Sequence, residues 1–264
     1  MLGIFDSGIG GLTVVRPLRE RLPEHDIIYL ADQAHVPYGD RTPDELLAFM
    51  RNNLDYLNDA GAEAIVVACN TSSAIAAEAG WPPSAAPILD LIESAATAVA
   101  ARGARRIGVI ATAATTRSGA YGRAIRARAP QAHVEEVAAP ALVPLVEAGR
   151  VHGGVVRTAV ADACAPFSRD LDLVVYGCTH YPVLDAHFEA VLGASTARLD
   201  PALAQADAAA RLVAERGIAP GAGVVRYATT GEPRALAASI RSILGELEPS
   251  VVSAAEILSR IGNG

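Results

Sequence analysis

The chain has 264 residues, enough for one large domain or two of modest size. Its formal net charge of −7 excludes the basic face that nucleic-acid binding needs, and no apolar run reaches the roughly 18 residues that span a bilayer. All 22 basic residues are arginines; without lysine there is no Schiff-base anchor for pyridoxal phosphate, no Walker A phosphate loop and no lysine nucleophile or base.

The sequence opens on Met1-Leu2-Gly3-Ile4-Phe5-Asp6. It lacks a basic leader region and reaches a carboxylate at once, so no signal peptide and a cytoplasmic location are expected. Short apolar runs at 2–5, 27–31, 64–68, 88–92, 107–111, 173–177 and 224–228 predict strands buried on both faces of parallel sheets. Longer Ala/Leu/Arg/Glu stretches between them predict helices. The clearest covers 43–60: Thr42 is the N-cap, Pro43 takes the first helical position, Glu45 lies three residues after the cap, and Gly61 stops the helix. Alternating strand and helix indicate an α/β fold with mainly parallel sheets.

The chemistry-bearing residues fall at strand ends. Asp6-Ser7-Gly8 closes the first strand; Ser7 is an N-cap candidate for the next helix, and Gly8, Gly10 and Gly11 let backbone approach a ligand closely. Gly8-x-Gly10, with Asp32 after the second strand, imitates a dinucleotide fingerprint, but Thr13 occupies the third glycine position. Pro37-Tyr38-Gly39 follows. The third strand delivers Cys69-Asn70-Thr71. Thr112 and Thr115 through Ser118 form a hydroxyl-rich turn after the fifth, and the sixth delivers Cys178-Thr179-His180. The two cysteine segments echo each other: each is a buried strand that ends in a thiol followed by polar side chains. Ligands of open α/β sheets bind outside the carboxyl ends of the strands. Two α/β halves facing each other there place both thiols on one cleft.

Such a pair can invert a carbon acid. One base removes the proton to leave a planar carbanion, and the other delivers a proton to the opposite face. Each group serves as base in one direction and acid in the other, which suits thiols tuned by a helix N-terminus or a nearby histidine. Without a pyridoxal electron sink, fixed donors must stabilise the developing charge. Three cysteines, an odd number, read as reduced thiols. The third, Cys164, lies in an Ala-rich helical stretch without polar companions and reads as core. Cys178 and His180 are too few ligands for a metal site, so neither a metal nor an organic cofactor is expected.

The set Phe5-Asp-Ser-Gly-Ile-Gly-Gly-Leu-Thr13, Pro37-Tyr-Gly39, Ala68-Cys-Asn-Thr71, Ser118-Gly-Ala-Tyr121, Val143-Pro-Leu-Val-Glu-Ala-Gly149, Gly177-Cys-Thr-His-Tyr-Pro182, Asp200-Pro201 and Thr230-Gly231 resembles the glutamate racemase family, within the wider aspartate/glutamate racemase group. The resemblance implies two pseudo-symmetric α/β domains, 1–92 plus 207–264 and 93–206, with the active site between them. It implies Cys69, with Asp6 beside it, as the base for D-glutamate. Cys178, assisted by His180 with Glu147 nearby, is the implied base for L-glutamate. Implied substrate contacts are Asp6, Ser7, Tyr38, Gly39, Asn70, Thr71, Thr179 and His180, to which the hydroxyls Thr112 and Thr115 are added. On residue type alone Asp6 reads as a cap, Tyr38 as turn chemistry and Glu147 as a solvated helix residue.

The implied partner is a small molecule, glutamate, whose D form would serve peptidoglycan synthesis; a homodimer is among the assemblies allowed. Four positions depart from the family pattern. Ala31 and Ala111 stand where many members have Gly, and Asp90 and Ser94 alter a stretch that commonly reads Gly-Val-Ile-Glu-Pro. These departures leave another acidic amino acid, such as aspartate, open as substrate. Outside that class the alternatives are a non-catalytic amino-acid-binding module and a dinucleotide-binding protein.

Overall fold

The computed structural model describes residues 1–254. In chain order the elements are β1 (Leu2–Asp6), α1 (Leu12–Arg21), β2 (Ile27–Ala31), α2 (Pro43–Asp59), β3 (Ala64–Val67), α3 (Asn70–Ala79), β4 (Ile88–Asp90) and α4 (Leu91–Arg102). Then follow β5 (Arg106–Ala111), α5 (Ala113–Ser118), α6 (Ala120–Arg128), β6 (His133–Ala138), α7 (Leu142–Glu147), α8 (Gly154–Cys164), β7 (Leu173–Gly177), α9 (Asp185–Leu192) and β8 (Ala197–Leu199). The chain returns through α10 (Pro201–Arg216), β9 (Val225–Thr229), α11 (Pro233–Leu244) and β10 (Val251–Ser253).

The strands form two sheets, ordered β10-β9-β2-β1-β3-β4 and β6-β5-β7-β8. Every pairing is parallel, as continuously apolar strands with helical crossovers require. Helices cover both faces of each sheet. Leu12, Val15 and Leu18 of α1 pack with Ala206 and Ala209 of α10 on one face of the first sheet, and Leu46, Met50 and Leu54 of α2 on the other. Ala95 and Val99 of α4 pack with Tyr121 and Ile125 of α6 on one face of the second sheet; Leu142, Val160 and Phe188 cover its other face. Much of the contact between helices is alanine, so helices lie close and the small side chains still fill the core.

Helix α2 shows how local chemistry sets an element. The Thr42 hydroxyl accepts from the Glu45 N–H at 3.3 Å while the Glu45 carboxylate accepts from the Thr42 N–H at 2.9 Å, so two otherwise orphaned donors are satisfied. Thr42→Ala is expected to lower stability by about 1 kcal/mol. Urea denaturation checks this, and an unchanged midpoint would show that the reciprocal pair contributes nothing.

Several sequence expectations need correction. Ser7 does not cap a helix: α1 begins at Leu12, and its N-terminal flank is Gly11. The 7–11 segment is instead a loop folded round the Asp6 carboxylate. The strand expected over 88–92 stops at Asp90, because the Asp90 carboxylate accepts from the Glu93 N–H at 3.0 Å and starts α4. The hydroxyl-rich turn at 115–118 is helix α5, with Thr112 as its N-cap. Three strands were not anticipated: β6 and β10 at sheet edges, and the short β8. Each carries exposed or charged positions that break an apolar run. Helix α10 runs from Pro201 to Arg216, and its buried side chains from Ala202 onward join the core of the first sheet.

Two crossings connect the halves, through α4 and α10, and these helices pack against each other. Among the described residues no helix is long and apolar enough to cross a membrane.

Candidate active site

The ends of β1, β3, β5 and β7 open on one cleft of about 220 Å³. That is below the roughly 300–1,000 Å³ of pockets for drug-sized ligands, so it suits a molecule of amino-acid size. Asp6, Ser7, Tyr38, Gly39, Cys69, Asn70 and Thr71 line it from the first half; Thr112, Glu147, Cys178, Thr179 and His180 line it from the second. Both cysteines are buried and unpaired. A larger surface groove, about 720 Å³, is a different feature: it touches Glu147 but contains neither thiol.

Around Cys69 the sequence builds an acidic corner. β1 ends in Asp6, which is 1% exposed; its carboxylate accepts from the N–H of Gly11 at 2.9 Å and of Gly8 at 3.2 Å. The Tyr29 hydroxyl donates to the Gly8 carbonyl at 2.6 Å and pins the same loop. Burial raises the Asp6 pKa, opposed by the charge of His180 and the two backbone donors. Cys69 sits at the start of α3. Burial, aided by the Asp6 charge, pushes its thiol up to about 11, with Ser72 and Ser7 pulling the other way. This thiol therefore holds its proton at neutral pH.

The opposite corner is a relay. His180 Nδ1 lies 3.6 Å from the Cys178 sulfur, and its Nε2 lies 2.5 Å from Glu147 Oε1. Burial by itself would lower the His180 pKa; its hydrogen bonds to Cys178 and Glu147, and their charges, override that and raise it to about 10. His180 therefore carries a proton through the neutral range and sets a positive charge beside the Cys178 sulfur. The two thiols are thus unlike: one faces a carboxylate, the other an imidazolium.

The halves meet closely here. Thr71 Oγ1 and Thr112 Oγ1 are 3.5 Å apart across the cleft. A Cβ at Gly10 would overlap the Thr179 hydroxyl and come 2.8 Å from His180 Nδ1. Gly10→Ala is therefore expected to push the relay out of place and lower kcat/KM about 100-fold, the cost of a misplacement near 1 Å, with the fold intact by circular dichroism. A loss within about twofold would mean that the neighbours give way freely.

Two of the sequence-selected residues serve differently. Thr115 is fully buried behind Thr112, from whose hydroxyl it accepts at 3.0 Å, and does not line the cleft. Tyr38 lines the cleft with its ring, but its hydroxyl donates to Asp32 at 2.5 Å and accepts from Asn53 at 3.1 Å. Asp32 is further engaged by His35 and Thr230, so it is not free to hold a ribose. The loop donors of Gly8 and Gly11 are taken by Asp6, which leaves no cradle for a pyrophosphate, and a buried carboxylate stands where phosphate would sit. These facts remove the dinucleotide alternative. Sequence reasoning missed the apolar wall of Val36, Pro140, Val143 and Pro144; Val143 and Pro144 lay inside a matched motif, the one signal available. Among the described residues no three His, Cys, Asp or Glu side chains converge as a metal ion would require.

Comparison with known proteins places this geometry. The Asp/Glu/hydantoin racemase family matches over residues 13–218. The chain is 46% identical over 235 residues to the glutamate racemase of Gloeobacter violaceus, covering 88% of each. Its structure is similar to a glutamate racemase isoform of Bacillus anthracis, with a TM-score of 0.90 at 29% identity over 96% of this chain and 97% of that one. It is also similar to the glutamate racemase of Francisella tularensis in complex with D-glutamate, with a TM-score of 0.86 at 30% identity over 96% of both.

Proposed function

The chain belongs to the Asp/Glu/hydantoin racemase family and is an isomerase, and from that premise we propose that it interconverts L- and D-glutamate without a cofactor, with Cys69 and Cys178 as the two groups that exchange protons with Cα from opposite faces. The observation that carries this reading is a single small cleft walled by two buried thiols from opposite halves, one beside a carboxylate and one beside a protonated histidine. The absence of lysine supports a route without pyridoxal phosphate.

From L-glutamate, the Cys178 thiolate takes the Cα proton, His180 supplies its counter-charge, and Glu147 holds the imidazole in place. The electron pair passes into the α-carboxylate as an enediolate, and the Cys69 thiol delivers its proton to the opposite face. From D-glutamate the roles reverse. Burial, with the Asp6 charge adding to it, keeps Cys69 protonated, and the substrate ammonium offsets that carboxylate when it binds. Ser7, Gly39, Asn70, Thr71, Thr112 and Thr179, with the N-terminus of α3, are the proposed donors to the two carboxylates. The proposed domain division puts the first sheet with α10, α11 and β10 in one unit and α4 to β8 in the other. The proposed product is D-glutamate for peptidoglycan synthesis in the cytoplasm.

The test is circular dichroism of L-glutamate, D-glutamate, L-aspartate and D-aspartate in separate cells with purified protein and no additive. Decay of the glutamate signal to zero from both sides is expected. Decay with aspartate alone would keep the reaction and change the substrate, and no decay with any would leave a binding protein.

A further inference from the structure

We propose that Tyr121 is a positioning residue for the proposed glutamate reaction: its hydroxyl, reaching from α6 in the second half, fixes the side-chain amide of Asn70 in the first half so that the amide NH2 faces the substrate carboxylate. Asn70 directly follows Cys69, opens α3 and lines the cleft. Tyr121 is fully buried, and its hydroxyl donates to Asn70 Oδ1 at 2.6 Å. Among the described residues neither side chain has another hydrogen-bond partner.

A side-chain amide presents an acceptor on one side and two donors on the other, and a half-turn exchanges them. Here both halves of the choice favour one orientation. With Oδ1 toward Tyr121, the buried O–H has its acceptor and the NH2 points into the cleft. After a half-turn, the O–H proton is left without an acceptor, which is costly in a buried site, and a carbonyl oxygen faces the substrate's negative charge. The ring itself is held from the other side: a Cβ at Gly177 would come 3.2 Å from Tyr121 Cε2, so Tyr121 rests against the strand that ends in Cys178. One side chain thereby sets the donor beside Cys69 in register with the strand that carries Cys178.

The test is steady-state kinetics of Tyr121→Phe, Asn70→Ala and the double variant with both glutamate enantiomers, with folding checked by circular dichroism. An interaction made equally with bound substrate and transition state raises KM and leaves kcat. Tyr121→Phe is expected to raise KM about tenfold in both directions, with kcat changed less than about threefold. The double variant is expected to match Asn70→Ala alone, because Tyr121 acts through Asn70. Asn70→Asp keeps the acceptor for Tyr121 but turns an oxygen into the cleft, and its KM is expected to rise at least as much as that of Asn70→Ala. An unchanged KM in Tyr121→Phe, a fall in kcat instead, multiplicative effects in the double variant, or an unchanged KM in Asn70→Asp would each overturn the assignment. A wild-type protein that does not racemise glutamate would overturn the function itself, a result distinguishable from an active wild type with an indifferent Tyr121.

Discussion

Cys69→Ala and Cys178→Ala are each expected to lower racemisation about 10³–10⁴-fold, since each removes a group that transfers a proton in the rate-determining chemistry. The remaining thiol still faces one side of the substrate. It can remove a proton from that face and return a solvent-derived one without inverting the centre. Residual Cα–H exchange is therefore expected with L-glutamate in Cys69→Ala, where Cys178 survives, and with D-glutamate in Cys178→Ala. Cys164→Ala is the control. That thiol packs in the core beside Val160 and Phe167, away from the cleft, and burial alone pushes its pKa up to about 11; racemisation should stay within about twofold of wild type. Proton NMR in D2O reads both exchange and inversion. A racemising Cys178→Ala variant, or residual exchange on the wrong enantiomer, would overturn the assignment of faces.

The second large effect concerns His180. The competent free enzyme has one thiolate and one thiol. As pH rises, His180 loses its proton near 10 and the Cys69 thiol near 11. Activity in the wild type should therefore persist through the mildly alkaline range and fall above about 10. His180→Asn removes the positive charge beside Cys178. The alkaline loss should then move from about 10, where His180 gives up its proton, to about 11, where Cys69 does, with kcat/KM at neutral pH down about 100-fold. Because the enantiomers are equal in energy, kcat/KM must remain equal in the two directions at every pH, and any asymmetry can appear only in kcat and KM taken separately. An alkaline limb that stays near 10 would mean that His180 orients Cys178 without supplying charge.

Much of this was readable from residue order. The strand runs ending at Cys69 and Cys178 were uniformly apolar, so their location and parallel pairing followed from periodicity. The polar residues after each thiol marked the carboxyl edges where sites form. Thr42, Pro43 and Glu45 announced α2 because capping is local chemistry. Distant partnerships were not legible. Nothing near Glu147 in sequence points to His180, and only the packing of α7 against the short turn Tyr181–Leu184 that follows His180 brings them to 2.5 Å. Ser7 looked like a cap because its type favours one, yet the buried Asp6 carboxylate took the loop's donors first. Thr115 and Thr112 look alike in sequence, and only helix α5 turns one inward. Edge strands such as β6, with Glu135 and Glu136 in its middle, carry no continuous apolar signal to read.

The most direct test of the two-thiol route is the early time course in D2O, with the enantiomers separated and their Cα deuterium measured before about a tenth of the substrate has turned over. Two bases on opposite faces predict that the newly formed enantiomer carries deuterium while the remaining substrate keeps its proton. Product that retains the original proton would mean that one group serves both faces and would contradict the roles given to Cys69 and Cys178.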